Sequence, residues 1–462
     1  MSNPKSSDLH LVMFPWFAVG HMTPFLHLAN SLAERGCSTT FLLPTEAIQQ
    51  LQHFNLYPHL ITLQSLTVPH VDGLPIGTQT ASDIPLELNH LLAIALDCTR
   101  NQVEKVIHET RPKFVIYDMA HWVPEITKAL GIKAIHYTVV SAASIAIVLV
   151  PARNVPEDRP ITESEMLMPP TGYPSTTTVL RAHEVRSLLF VSQPFGEGIT
   201  FYERMFKAMK ESDALAIRTC NETEGNFCDY IGSQYGKPVF LTGPVLPGPA
   251  KTPLEDRWCK WLSGFEQGSV LFCAFGSQII LEKDQFQELV LGFELTGLPF
   301  LVALKPPAGA ATVEEALPEG FEERVKGRGV VWGGWVQQLM ILDHPSVGCF
   351  VNHCGFGSMW ESLLSDCQVV LVPHLGDQIL NARFMAEELK VAVEVERDES
   401  GWFSKENVSK AIHSVMDKGN EFGSMLKQNH RKWREKMINK ELMSGYVDKF
   451  VQDMQQLVKV MV

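Results

Sequence analysis

The chain has 462 residues, 45% of them hydrophobic and 20% charged, an ordinary globular composition at a length that exceeds one hydrophobic core and predicts two domains. Its formal net charge of −13 argues against nucleic acid or an anionic membrane as the main partner. The nine cysteines form no CxxC pair, no two histidines stand at metal-ligand spacing, and Met1-Ser-Asn-Pro-Lys-Ser-Ser-Asp8 carries no secretory signature, so reduced core thiols, no bound metal and a cytoplasmic chain are expected. The longest apolar run, residues 139–152, is broken by serines and Pro151 and is too short to span a bilayer.

In chain order, Leu11-Val-Met-Phe14 reads as a strand followed by a turn. Thr23 suits a helix N-cap and Pro24 the first helical position, and Phe25, Leu28, Ala29, Leu32 and Ala33 recur at helical spacing until Gly36 stops the helix. Residues 39–43 form the next strand. The same βα pattern recurs with strands at 114–117 and 134–137. Residues 151–194 are rich in Pro, Ser and Thr without clean periodicity and read as a loop-rich insertion. Val239-Phe-Leu241 is a last strand running into a stiff Pro/Gly-rich linker over residues 241–256. A second series follows, with strands at 269–275, 300–304, 329–331, 348–351, 369–372 and 391–395 and a helix face at Phe286, Leu289, Val290 and Phe293. Such alternation predicts an α/β protein of two doubly wound domains, 1–240 and 257–440, with parallel sheets facing a cleft.

Candidate chemistry collects at strand ends. His21, in Val19-Gly-His-Met22, follows the first strand and precedes the helix, at the sheet edge where ligands of such folds bind. A neutral imidazole there suits removal of a hydroxyl proton. Asp118 follows the 114–117 strand at the same edge. Ionised, it would orient the imidazole; as plain structure, it would cap the helix that begins Val123-Pro-Glu-Ile126. In the second domain His353-Cys-Gly-Phe-Gly-Ser358 is a Gly-bearing turn leading into Met359-Trp-Glu-Ser-Leu-Leu364, which reads as a helix. A helix N-terminus offers unpaired N–H groups and partial positive charge, so it can hold a diphosphate without a metal. Trp335 offers a flat ring, Gln338 an amide, and Glu361 a carboxylate one turn into that helix. Asp377 and Gln378 carry groups suited to sugar hydroxyls. Trp332 reads as core, and Thr138 is either a strand-end hydroxyl or a sugar contact.

Residues 335–378 resemble, without gaps, the donor-binding box of plant family-1 UDP-sugar glycosyltransferases. Pro15-Trp-Phe-Ala-Val-Gly-His-Met-Thr-Pro24 resembles the catalytic loop of that family, and the similarity covers nearly the whole chain. The resemblance implies the GT-B arrangement of two Rossmann-like domains, inversion at the anomeric carbon, and no metal or other cofactor, the UDP-sugar being a co-substrate. It implies His21 as base and Asp118 as its orienter. Trp335 would stack on uracil, Gln338 would pair with the base edge and Glu361 would hold the ribose. His353, Gly355, Gly357 and Ser358 would form the diphosphate turn with Ser277 as a further phosphate contact, and Asp377, Gln378 and Thr138 would meet the sugar. The last helix, 441–462, with Tyr446, Phe450, Met454 and Leu457 on one face, is expected to cross back onto the first domain.

Two positions depart from the family pattern. Most members have Trp then Asn after His-Cys-Gly; this chain has Phe356 and Gly357, which removes a side-chain phosphate contact and changes the wall near the sugar. That variant, with Phe14-Pro-Trp-Phe17, Ala120-His-Trp-Val-Pro-Glu125 and Gly333-Gly-Trp-Val-Gln-Gln338, resembles the branch that adds a second sugar to flavonoid and anthocyanin glycosides. Its donors include glucose, xylose and rhamnose as UDP-sugars, and the box does not decide among them. The expected acceptor is a small aromatic glycoside; an aglycone acceptor and UDP-sugar binding without turnover are the alternatives. A nicotinamide dehydrogenase shares the fold but needs a G-x-G-x-x-G turn, and the first loop here has only Gly20 beside Pro15, Trp16 and Phe17. Trp16, Phe17, Met119, His121 and Trp122 either line an aromatic-binding pocket or anchor their loops.

Overall fold

The computed structural model describes residues 9–246, 253–276 and 278–459. The first sheet contains β1 (His10–Phe14), β2 (Ser38–Pro44), β3 (Ile61–Leu66), β4 (Phe114–Tyr117), β5 (Lys133–Thr138), β6 (Ala214–Ile217) and β7 (Val239–Leu241). They lie in the order β3-β2-β1-β4-β5-β6-β7, and every pairing is parallel. The second sheet contains β8 (Val270–Ala274), β9 (Phe300–Ala303), β10 (Gly329–Trp332), β11 (Val347–Asn352), β12 (Gln368–Leu371) and β13 (Val393–Glu394). Its order, β10-β9-β8-β11-β12-β13, is again all parallel. Parallel strands covered by helices on both faces must be apolar along their whole length. Accordingly Leu11, Val12, Met13 and Phe14 of β1 and Val270, Leu271, Phe272 and Cys273 of β8 are all buried.

The two sheets share one winding rule. Each begins with a central strand, β1 or β8, winds outward on one side, then returns to place β4 or β11 against the other side of the starting strand. The order reverses at β1/β4 and at β8/β11, and ligands of doubly wound folds bind beyond the strand C-termini at such points. Phe14 pairs with Tyr117 and Asn352 with Ala274. The segments that leave those residues carry His21, Asp118 and His353.

Several expectations change. The first helix runs over Val19–Ala33 with Ala18 as an extended N-cap, and Pro24 lies inside it. The Ala18 carbonyl accepts from both His21 N and Met22 N, at 2.9 Å each, so the first turn closes before Thr23 can act as a cap. Pro24 supplies no N–H to the Gly20 carbonyl, but Gly20 is exposed to solvent, which lowers the cost. His21 is therefore a residue of the first helical turn and not of a preceding loop. The strands β3 and β6 carry no mark in the sequence reading. The first is a half-exposed edge strand and the second a four-residue run.

The chain divides into two compact units, Met1–Pro174 with Leu188–Pro247 and Lys440–Val462, and Ser175–Ser187 with Gly248–Asn439. Residues 175–187, inside the 1–240 span, thus belong to the second unit. Polarity explains it. The buried Arg383 guanidinium donates to Glu184 Oε1 at 2.6 Å and to the Val179 carbonyl at 2.8 Å. Glu388 accepts from the hydroxyls of Ser175 and Thr177 at 2.5 and 2.6 Å. Of the 241–256 linker, residues 247–252 lie outside the described residues, as do residues 460–462 of the last helix.

The last helix, Lys440–Lys459, packs on the first unit through Val447, Phe450, Val451 and Met454. Phe450 meets Phe240 edge-on at 6.1 Å. Tyr446 donates its hydroxyl to Glu222 at 2.6 Å and accepts from Asn221 N at 2.8 Å. Phe450 is fully buried, so Phe450→Ala should cost about 3–5 kcal/mol, the scale for emptying a core aromatic site. Urea unfolding followed through first-unit tryptophans would show the drop; a loss below about 1 kcal/mol would mean that the helix is not part of that core.

Candidate functional site

At the β1/β4 edge the Asp118 carboxylate is buried and takes three hydrogen bonds. Its Oδ1 accepts from Trp16 N at 2.7 Å and Met119 N at 2.6 Å, and its Oδ2 lies 2.7 Å from His21 Nδ1. A carboxylate accepts only, so Nδ1 carries the proton and Nε2 is left as the basic nitrogen. The His21 side chain remains 22% exposed, so Nε2 is not sealed in the core. Asp118 does not cap the Val123–Ala129 helix, whose N-cap position is Trp122 with Pro124 in its first turn. Behind the pair, burial depresses the His136 pKa to about 4, with Asp118 pulling the other way, so this second imidazole is neutral. Thr138, buried at the end of β5, places its hydroxyl 3.4 Å from His136 Nδ1.

The aromatic residues of these loops prove to be anchors. Trp16, Phe17, Met119 and Trp122 are buried. Trp16 packs 5.5 Å from Phe195 and Phe14 5.8 Å from Trp122, and Trp122 Nε1 donates to Asp97 at 2.9 Å. Burial, then the nearby Arg204 charge, lowers the His121 pKa to about 4.

In the second unit the turn after β11 is built on a strained residue. Cys354 has φ 59°, a left-handed conformation that costs a non-glycine residue of order 1–3 kcal/mol and persists only where neighbours enforce it. Asn352 Oδ1 accepts from Cys354 N at 2.8 Å, and Asn381 Nδ2 donates to the Cys354 carbonyl at 2.9 Å. His353 is clamped between glycines: a Cβ on Gly276 would come within 3.2 Å of its ring and one on Gly355 within 2.7 Å. Burial lowers the His353 pKa to about 4 and, with the Arg397 charge, holds His374 well below its usual value. Each keeps one buried ring nitrogen without a hydrogen-bond partner, Nδ1 of His353 and Nε2 of His374.

Gly355 caps the Phe356–Leu364 helix. A Cβ on Gly357 would meet nothing within 4 Å, so the first turn, which also carries Ser358, presents open backbone. Phe356 is buried edge-on to Trp360 at 5.7 Å, so its ring packs inward. Ser277 lies outside the described residues.

Trp335, in the loop between β10 and the Gln338–Leu342 helix, is 76% exposed. So much bare indole is unusual, and it offers a stacking face. Trp332, expected in the core, is instead half-buried and packs against it from the edge, 5.7 Å from Trp258 with the Arg257 guanidinium 4.3 Å from its ring. Gln338 Nε2 donates to the Glu361 carboxylate, so these two residues meet. Asp377 Oδ2 accepts from Asn381 Nδ2 at 3.0 Å. Gln378 is buried, and its Oε1 accepts from His374 N and Leu375 N at 3.1 and 3.3 Å. Sequence reasoning missed Asn352, Asn381 and His374. Asn381, four residues after Asp377 and so on the same helix face, was the one with a readable signal. Among the described residues no group of three His, Cys, Asp or Glu could hold a metal ion, and no helix is long and apolar enough to cross a membrane.

Comparison with known proteins gives these arrangements a context. The family described as "UDP-glucoronosyl and UDP-glucosyl transferase" matches residues 323–430. The chain is 58% identical over 452 residues to UDP-glycosyltransferase 79B3 of Arabidopsis thaliana, covering 97% of each. It is 56% identical over 460 residues to the anthocyanidin 3-O-glucoside 2'''-O-xylosyltransferase of the same plant, covering 98% of each. The fold matches that of Glycyrrhiza uralensis UGT73P12, solved with glycyrrhetinic acid 3-O-monoglucuronide, with a TM-score of 0.78 at 20% identity, covering 98% of this chain and 96% of that one.

The glycine geometry yields a paired test. Gly355→Ala drives a methyl into His353 and should lower stability by about 1–3 kcal/mol, the range for overpacking. Gly357→Ala meets open space in a helix and should raise it by up to about 1 kcal/mol. Denaturant unfolding of the two variants beside the parent checks the pair; equal effects would contradict the clamp.

Proposed function

Since the chain belongs to the plant family-1 UDP-glycosyltransferases, we propose that it transfers a sugar from a UDP-sugar, with inversion and without a metal, to a hydroxyl on the sugar of a flavonoid or anthocyanidin 3-O-glycoside. The observation that carries the catalytic reading is the 2.7 Å pairing of His21 Nδ1 with Asp118. It leaves Nε2 to take the acceptor proton as the oxygen attacks the anomeric carbon opposite the departing UDP. Asp118 then stabilises the imidazolium.

The second unit holds the donor in this reading. The N–H groups at the start of the Phe356–Leu364 helix receive the charge that grows on the leaving diphosphate, with Ser358 and Ser277 as hydroxyl contacts. The uracil stacks on Trp335 and pairs with Gln338. A carboxylate has about four lone-pair sites, so Glu361 can hold both ribose hydroxyls while accepting from Gln338. Asp377 and the Gln378 NH2 address the transferred sugar. Glucose, xylose and rhamnose remain the donor choices, and the cytoplasm is the proposed compartment. The acceptor class rests on the Phe356-Gly357 variant and on the name of the xylosyltransferase relative.

His21→Ala should lower turnover by about 10²–10⁴, the usual scale for a lost general base, while calorimetric UDP affinity stays unchanged. Near-normal turnover would remove His21 from the mechanism. A flavonoid 3-O-glycoside should show a higher kcat/KM than the free flavonol, because misplacing the reacting hydroxyl by about 1 Å can cost 10²-fold. The added sugar should appear by NMR on the existing sugar, and the rate should survive EDTA. Faster reaction of the flavonol, or linkage to its rings, would overturn the acceptor assignment; activity lost to EDTA and restored by a metal would overturn metal independence.

A further inference from the structure

The two loops that present N–H groups to Asp118 converge on one buried guanidinium. Trp16, one of the two backbone donors to Asp118, packs its ring on Phe195, and Met119 is the other donor. Arg204, in the Phe201–Glu211 helix and 0% exposed, donates from Nε to the Phe195 carbonyl at 2.7 Å and from Nη1 to the Met119 carbonyl at 3.1 Å. Its remaining reach goes to Asp97, from Nη1 to Oδ1 at 3.0 Å and from Nη2 to Oδ2. Asp97 Oδ1 also accepts from Trp122 Nε1, in the loop that follows Asp118. The backbone beside Phe195 is shaped to the guanidinium: Gly196 has φ 113°, and a Cβ there would fall 2.1 Å from Arg204 Nη2.

We propose that Arg204 and Asp97 are positioning residues for the His21–Asp118 pair. The guanidinium fixes the Met119 and Phe195 backbone, and through Met119 N and the packed Trp16 it fixes the two N–H groups that aim the Asp118 carboxylate at His21. The guanidinium is fully buried while the Asp97 side chain is 25% exposed, and a charge taken out of water is a poor device for stability alone, since a well-packed apolar group often serves as well. The rigid planar fork of arginine can hold two carbonyls and a carboxylate at set angles, which lysine and apolar side chains cannot. This inference rests on the proposed catalytic role of His21 and Asp118, neither of which touches Arg204 or Asp97 in the hydrogen bonds described.

The test is a double-mutant kinetic cycle on the full chain, using whichever of UDP-glucose, UDP-xylose or UDP-rhamnose the parent enzyme turns over, with a flavonoid 3-O-glycoside as acceptor. Asp97→Asn and Arg204→Lys should each lower kcat by roughly 10- to 100-fold, the scale for a misplaced catalytic group, with KM for the UDP-sugar within about twofold. On an Asp118→Asn background the same changes should cost less than about threefold more, because the group they aim is already disabled. Asp97→Asn keeps the side-chain shape and carries the cycle if Arg204→Lys does not fold. Losses that simply multiply with that of Asp118→Asn, or an Asp97→Asn enzyme with parental kcat, would overturn the positioning role alone. A fully active Asp118→Asn enzyme would remove the catalytic pair and this inference with it.

Discussion

Both sheets wind outward from a central strand and then return to its other side, and that reversal is the constraint on which the candidate chemistry depends. Where strand order reverses, the connections after adjacent strands depart to opposite faces, and the strand C-termini between them stay uncovered. In the first unit this leaves the ends of β1 and β4 side by side, and the chain after each contributes one partner of the His21–Asp118 pair. In the second unit the same geometry leaves the ends of β8 and β11 adjacent, and the His353 turn grows from the latter. One topological rule, used twice, places the His21–Asp118 pair in one unit and the open first turn of the Phe356–Leu364 helix in the other.

The two places spend their polar groups differently. At Asp118 the carboxylate takes two backbone donors on Oδ1 and the imidazole on Oδ2, which favours one ring orientation for His21. At the His353 turn the strained Cys354 is locked by two asparagine side chains and the imidazole is wedged against glycines, while the helix start ahead of it stays bare at Gly357. Rigidity is concentrated behind the surfaces that would meet ligand. Fixed donors stabilise developing charge better than donors that must first reorganise.

Much of this was legible in the chain itself, for reasons that can be named. Buried parallel strands must be apolar runs, so β1, β2, β4, β5 and most of the second sheet stand out. The edge strand β3, Ile61-Thr-Leu-Gln-Ser-Leu66, loses its alternation at Gln64-Ser65, and β6, Ala214-Leu-Ala-Ile217, is half alanine, a residue depleted in strands, so neither signals clearly. The box residues stand out because their types and spacing occur together, and of them Gln338 and Glu361 are in contact. What could not be read were long-range pairings: the Glu184–Arg383 contact that carries residues 175–187 into the second unit, the Asn381 bridge to Cys354 and the Arg204 fork all join residues remote in sequence. The first-helix start was misjudged because Thr-Pro is a strong local cap signal, and here the Ala18 carbonyl closes an earlier turn. The aromatic loop residues fit both anchor and pocket-lining patterns, and only burial separates the two.

The most direct test of the account is the protonation pattern of the His21 ring in the intact enzyme. Two-dimensional ¹⁵N NMR of imidazole-labelled protein, assigned through His21→Ala, reports which ring nitrogen carries the proton. The account predicts the proton on Nδ1, hydrogen-bonded to Asp118, with Nε2 bare and able to accept from a hydroxyl. A neutral His21 protonated on Nε2 would contradict it, because that ring could not remove the acceptor proton.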